Sequence, residues 1–142
     1  MTGMIVTGHG SFATGITSGL KLLAGEPKQY EAVDFLPEDS AETLAEKLQE
    51  AAARLADCGE LIIYADLTGG SPFNVSGRMK MEASKPIEVI GGANLPMILD
   101  GYLARESAGD VQALAQSALD SGKGAIVRFQ ISENGDDDEY EE

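Results

Sequence analysis

The sequence contains a single histidine, His9, within the segment MIVTGHGSFATG. This residue follows the apolar run 4–6 and stands between Gly8 and Gly10, where a predicted strand gives way to a helix beginning at Ser11. A histidine side chain is largely neutral near pH 7, so its unprotonated ring nitrogen can act as a nucleophile without an activating base. The placement therefore indicates either a histidine held in a tight turn or a reactive side chain at a strand end.

A second segment with chemical potential is DLTGGSPFN, residues 66–74. Asp66 ends an apolar run, and Gly69 and Gly70 let the backbone curl. Ser71 is predicted as the N-cap of a helix, with Pro72 at the first helical position. A glycine-rich turn that leads into a helix N-terminus presents backbone N–H groups to an anion. Residues from Thr68 to Ser71 are therefore a candidate phosphoryl-binding turn, and Asp66 is a candidate partner for an imidazole.

Strand and helix signals alternate along the chain, which predicts a doubly wound α/β fold with a mainly parallel sheet and helices on both faces. Apolar runs predict strands near 4–6, 30–35, 61–65 and 87–90, with helices between and after them. The final segment Ala125–Ile131 alternates apolar and polar residues, which predicts a half-exposed antiparallel edge strand. Because parallel strands end at one edge of the sheet, we expect His9, Asp66 and the glycine turn to lie together there.

The segment GHGSFA at residues 8–13 also fits the dinucleotide-binding pattern G-x-G-x-x-A, and Asp34 follows at the place of a ribose-binding acid. We reject this interpretation for three reasons. The pattern alone is weakly specific, the chain lacks a second mononucleotide-binding half and a substrate domain, and the interpretation leaves residues 66–74 without a role.

Charge and composition narrow the classes of function. The net charge of −14 argues against a nucleic-acid-binding protein. Six of the acidic residues lie in the last seven positions, so we expect a domain at 1–132 and a disordered acidic tail at 133–142. No apolar stretch reaches the roughly 18 residues of a membrane span, and no secretory signal is recognised. The single cysteine, Cys58, cannot form an internal disulfide. These features predict a cytoplasmic protein.

The segments at residues 7–11 (TGHGS) and 66–74 together resemble the mannose-type enzyme IIA of the bacterial phosphoenolpyruvate:sugar phosphotransferase system, in order and spacing over roughly residues 3–131. The resemblance implies a phosphotransferase in which His9 accepts a phosphoryl group from the phosphocarrier protein HPr and passes it to an enzyme IIB. Asp66 matches the carboxylate that orients the imidazole, and Thr68, Gly69, Gly70 and Ser71 lie beside the phosphoryl group.

The resemblance also implies a homodimer in which the last strand crosses to the other subunit, and an indirect partnership with the membrane subunits IIC and IID. No cofactor or metal is implied, and one histidine and one cysteine far apart do not form a metal site. The sugar contacts the membrane subunits in this family, so this sequence does not specify it.

Two other functions stay open at this point. One is the related subunit that phosphorylates a dihydroxyacetone kinase, which shares the fold and the early histidine. The other is a regulatory module whose phosphorylation state is read by a partner rather than passed on. The intact GGSPFN segment at residues 69–74 resembles the sugar-transport branch better.

Overall fold

The computed structural model describes residues 1–131, along which strands and helices alternate as predicted. The strands in this range are β1 (Thr2–His9), β2 (Tyr30–Phe35), β3 (Glu60–Ala65) and β4 (Ile87–Ile90). The helices are α1 (Phe12–Ala24), α2 (Ala41–Arg54), α3 (Ser71–Glu82), α4 (Leu95–Ala104) and α5 (Val111–Gly124). No helix among these residues is long and apolar enough to cross a membrane.

The four strands form one parallel sheet in the order β2-β1-β3-β4. The chain passes from β1 outward to β2 and then crosses to β3 on the other side of β1. In such a sheet a crevice opens outside the carboxyl ends of the two strands where the winding direction reverses. Here those strands are β1, which ends at His9, and β3, which ends just before Asp66.

Apolar side chains cover both faces of the sheet, as expected for a parallel sheet between two helical layers. One core contains Met4 and Val6 of β1 with residues of α1, α4 and α5. The other contains Ile5 of β1 with residues of α2 and α3, such as Leu44 and Val75. The alternation of these three β1 side chains between the two cores follows the two-residue period of a strand. The predicted doubly wound α/β architecture is confirmed.

Helix starts agree with the sequence in part. Ser40 caps α2, where its hydroxyl accepts from the Thr43 backbone at 3.1 Å and the Thr43 hydroxyl accepts from the Ser40 backbone at 2.7 Å. The prediction that Ser71 caps α3 is wrong, because Gly70 is the capping residue. The Asn74 N–H already bonds to the Gly70 carbonyl at 2.9 Å, which places Ser71 inside the first turn.

The predicted antiparallel edge strand at 125–131 is absent from the single chain described here. Residues 126–131 lie beyond α5 without strand pairing, and Ile126, Val127 and Ile131 are exposed. A strand of this kind needs a neighbouring strand and an apolar layer to cover one face, and residues 126–131 pair with no strand among the described residues. The expected acidic tail at 133–142 lies outside the described residues.

Candidate active site

His9 is the last residue of β1, and its ring stands at the carboxyl edge of the sheet with 45% of the side chain exposed. The Nδ1 atom of the ring lies 2.9 Å from Oδ2 of Asp66. The backbone N–H of His9 donates to the same oxygen, also at 2.9 Å. Because an ionised carboxylate can only accept hydrogen bonds, this pairing places the ring proton on Nδ1 and leaves the lone pair of Nε2 available.

Asp66 follows β3 directly, and its side chain is only 15% exposed. Both hydrogen bonds of the carboxylate go to Oδ2, and both donors belong to His9. The other oxygen, Oδ1, is buried and has no hydrogen-bond partner. The Asp66 carboxylate therefore accepts hydrogen bonds from His9 alone. The expectation that the ends of β1 and β3 bring these two side chains together is confirmed.

Two further contacts fix the His9 ring. Phe35 lies edge-on to it, with the ring centroids 5.7 Å apart and the planes at 69°. Gly70 lies close to the Cε1–Nε2 edge of the ring, since a β-carbon added there would stand 2.8 Å from Cε1 and 3.4 Å from Nε2 of His9. The candidate nucleophile Nε2 thus lies next to the glycine turn.

The glycine turn is held in place from two sides. Gly69 adopts a φ of +88°, which favours glycine, and its carbonyl accepts from the Asn74 side chain at 2.9 Å. Thr68 packs against Gly91 after β4, where an added β-carbon would collide with the Thr68 hydroxyl. Of the four predicted phosphoryl-binding residues, Gly70 is the one placed against the imidazole, and Thr68 lies on the side of β4.

The start of α3 adds an electrostatic feature to this turn. The first N–H groups of a helix have no partner within it, and the peptide dipoles make this end positive. In α3 these groups begin beside Gly70, and Pro72 in the first turn has no N–H group to offer. Negative charge placed near Nε2 of His9 is therefore favoured by the backbone.

A network after β2 holds Phe35 beside the histidine. Lys47 donates to the Asp34 carbonyl at 2.9 Å and to the Asp39 carboxylate at 2.7 Å, and Asp39 also accepts from the Leu36 backbone at 2.8 Å. The hydrogen bond from Lys47, with that from Leu36, holds the pKa of the Asp39 carboxyl below its usual value. Phe35 was not predicted from the sequence, because its position opposite His9 follows from the β1–β2 register; its place at the end of an apolar segment was the one signal available.

The acidic residue of the dinucleotide-like pattern is engaged elsewhere. Asp34 accepts from the backbone N–H of Thr14 at 3.0 Å with one oxygen and from the Thr14 hydroxyl at 2.8 Å with the other. Both bonds tie the end of β2 to the first turn of α1. In this arrangement both carboxylate oxygens of Asp34 are used in hydrogen bonds to the first turn of α1, so they are not available to bind a ribose. Within the described residues, no group of three or more His, Cys, Asp or Glu side chains could hold a metal ion.

Comparison with known proteins adds independent information. The family model described as "PTS system fructose IIA component" matches residues 3–119. The mannose-specific EIIAB component of Escherichia coli K12 is 33% identical over 127 residues, which is 89% of this chain and 39% of that protein. The chain thus spans about two fifths of the length of that relative. The fructose-specific EIIA component of Bacillus subtilis is 28% identical over 106 residues, covering 75% of this chain and 72% of that one.

A solved structure shares the fold in detail. The phosphotransferase system component EIIA from Streptococcus agalactiae superposes with a TM-score of 0.85 at 33% sequence identity. The match covers 91% of this chain and 98% of the other. The arrangement around His9 therefore lies on a scaffold that is shared almost end to end with that protein.

Proposed function

Since the chain belongs to the mannose/fructose-type EIIA family of the sugar phosphotransferase system, we propose that it carries a phosphoryl group on His9, accepting it from phospho-HPr and passing it to an enzyme IIB. Family membership supports a phosphotransferase role in sugar uptake. The observation that carries the proposal is the pairing of His9 Nδ1 with Asp66 at 2.9 Å, which leaves Nε2 unprotonated at the open edge of the sheet.

The transfer chemistry follows from this geometry. The Nε2 lone pair of His9 forms a bond to phosphorus as the bond between phosphorus and the donor imidazole breaks, and the donor leaves as a neutral ring. Nδ1 keeps its proton, so the phosphorylated ring gains a positive charge, which Asp66 stabilises at hydrogen-bond distance. The start of α3 beside Gly70 favours the negative phosphoryl oxygens. Positioning and charge stabilisation supply the catalysis of such a step.

The openness of the site fits a carrier that exchanges its phosphoryl group with two partners. Nearly half of the His9 side chain is exposed, so an incoming protein can bring its own reactive group in line with Nε2. The Escherichia coli relative is named an EIIAB component, which supports an enzyme IIB as the next acceptor. The membrane subunits IIC and IID, which contact the sugar, would then be indirect partners, and the sugar would be the final acceptor of the phosphoryl group. We place this exchange in the cytoplasm, in keeping with a buried, free thiol at Cys58.

Phosphoryl uptake and discharge test the proposed function. The protein incubated with phosphoenolpyruvate, enzyme I and HPr should gain one acid-labile phosphoryl group, detected by intact mass before and after acid treatment. The group should leave when enzyme IIB from the same organism is added. Failure to take up phosphate contradicts the proposal. Discharge to a dihydroxyacetone kinase instead of enzyme IIB would identify the related kinase subunit, and discharge to neither would identify a regulatory module.

The homodimer belongs to the same proposal. The edge of the sheet at β4 has no strand beside it in the single chain, and a groove of about 360 Å³ runs along it between Val89, Ile90 and Leu119. The exposed segment 126–131 has the alternating pattern of a strand with one apolar face. We propose that this segment of one subunit pairs with β4 of its partner. The exposed backbone N–H and C=O groups of β4 and of the segment would then form hydrogen bonds with each other.

Truncation separates the segment from the acidic tail. Removal of residues 125–142 should give a monomer or an insoluble protein, because the exposed edge of β4 then loses its partner strand. Removal of residues 136–142 alone should leave the molar mass per particle at twice that of the chain. Light scattering at micromolar concentration measures both. A monomeric full-length chain under these conditions contradicts the proposed dimer.

A further inference from the structure

Phe12, the first residue of α1, and the Asp66 carboxyl group both lie close against Gly8 of β1. A β-carbon placed on Gly8 would stand 2.5 Å from Cδ2 of Phe12 and 2.8 Å from Cγ of Asp66. The aromatic ring and the carboxyl group therefore flank the same small volume above Gly8. A side chain larger than hydrogen at position 8 would collide with both, so the Phe12 ring and the Asp66 carboxyl group are packed closely over Gly8.

The hydrogen bonding of Asp66 gives this packing a consequence. A carboxylate has room for several donors, yet Oδ1 is buried without one while Oδ2 accepts two from His9. A buried oxygen without a partner is unusual and calls for an explanation. An apolar neighbour that keeps water away from Oδ1 leaves the His9 N–H groups as the carboxylate's only donors, and it strengthens that bond by lowering the local dielectric.

We propose that Phe12 is a positioning residue, which acts through Asp66 to hold the His9 ring in the tautomer with the proton on Nδ1. The inference rests on the proposed phosphoryl transfer at His9 for its functional meaning. The effect of Phe12 on the His9 tautomer can be measured in the unphosphorylated protein, whether or not the protein transfers a phosphoryl group. Without the Phe12 ring, water can reach Oδ1 and the carboxylate can turn away from the imidazole.

The single histidine makes the tautomer directly measurable. Nitrogen-15 NMR of the imidazole reports which ring nitrogen carries the proton, and His9 is the only source of such a signal. In the wild-type protein at neutral pH we expect the proton on Nδ1. In Phe12→Ala we expect the population with the proton on Nε2 to rise, and transfer from phospho-HPr to slow by about tenfold, the scale of a modest misplacement of a reacting group.

Two matched variants separate positioning from general loss of packing. Ile16→Ala removes another partly buried apolar side chain that packs against the same core as Phe12, so it controls for loss of helix packing. We expect its tautomer and transfer rate to match the wild type. Phe12→Leu keeps an apolar cover over the carboxylate, so it should restore most of the Nδ1-protonated population and most of the rate. It also provides a folded variant if Phe12→Ala does not fold.

A double variant tests the route of the effect. If Phe12 acts through Asp66, adding Phe12→Ala to Asp66→Asn should slow transfer no further than Asp66→Asn alone. Additive losses would overturn the inference. So would an imidazole spectrum of Phe12→Ala indistinguishable from that of Ile16→Ala, or a Phe12→Leu variant in which the proton lies mainly on Nε2. A wild-type protein that takes up no phosphate would refute the proposed function, while the spectra would still decide whether Phe12 controls the tautomer.

Discussion

Replacement of His9 by alanine is expected to abolish phosphoryl uptake completely. His9 is the only histidine in the chain, and its Nε2 is the nitrogen left unprotonated by the bond to Asp66. No second imidazole exists to take over the reaction. The measurement is intact mass after incubation with phosphoenolpyruvate, enzyme I and HPr, in which the wild type gains one phosphoryl group and His9→Ala gains none.

The fold of His9→Ala should survive, because the side chain is half exposed and the backbone N–H of residue 9 still donates to Asp66. Circular dichroism and the melting temperature provide this control. Loss of uptake in a folded variant then reports the loss of the nucleophile. Acid-labile phosphate on folded His9→Ala would contradict the proposal, since the phosphoryl group would have to be attached elsewhere.

Asp66→Asn should slow transfer from phospho-HPr by roughly 10²-fold or more, the scale of removing one group that stabilises charge in a transition state. The amide has no good orientation at this site. With its oxygen toward His9, the NH₂ group takes the buried position of Oδ1, where no hydrogen-bond partner exists. With its NH₂ toward His9, it meets the two N–H donors and favours the proton on Nε2, which removes the nucleophilic lone pair.

Rapid-quench measurement of the transfer rate tests this expectation. The fold should be retained because no core volume changes, while the poorly satisfied amide lowers the melting temperature by a few degrees. Asp34→Asn is the matched control. Asp34 is a carboxylate at the same edge of the sheet, yet it accepts from Thr14 and makes no contact with the imidazole. A rate close to that of the wild type in Asp66→Asn would mean that another group orients His9.

The four strands and the pairing of His9 with Asp66 followed from the sequence because they depend on local patterns and one topological rule. Apolar runs at 4–6 and 61–65 mark strands buried on both faces, and parallel strands end at a common edge. Any arrangement with β1 next to β3 brings the residues after them together. The chemistry of the pair then follows from the residue types alone.

The contacts that refine the site did not follow from the sequence because they depend on strand order and on packing between distant elements. Phe35 reaches the imidazole only because β2 lies beside β1 in a register that sets it opposite His9. Phe12 and Asp66 come together at Gly8, a relation no periodicity encodes. The segment 125–131 was predicted as a strand from its alternation, but a strand forms only with a neighbouring strand, and the alternation does not specify which one.

Gly69 and Gly70 are constrained in different ways, so substitutions at the two positions should affect different properties of the protein. Gly69 has a φ of +88° with nothing within 4 Å of an added β-carbon, so asparagine can occupy it at the expense of folding stability. Gly70 has a φ of −79°, open to every residue type, but a β-carbon there would stand 2.8 Å from Cε1 of the His9 ring. In a library of variants, substitutions at position 69 would therefore mainly lower folding stability, and substitutions at position 70 would mainly lower the rate of phosphoryl transfer.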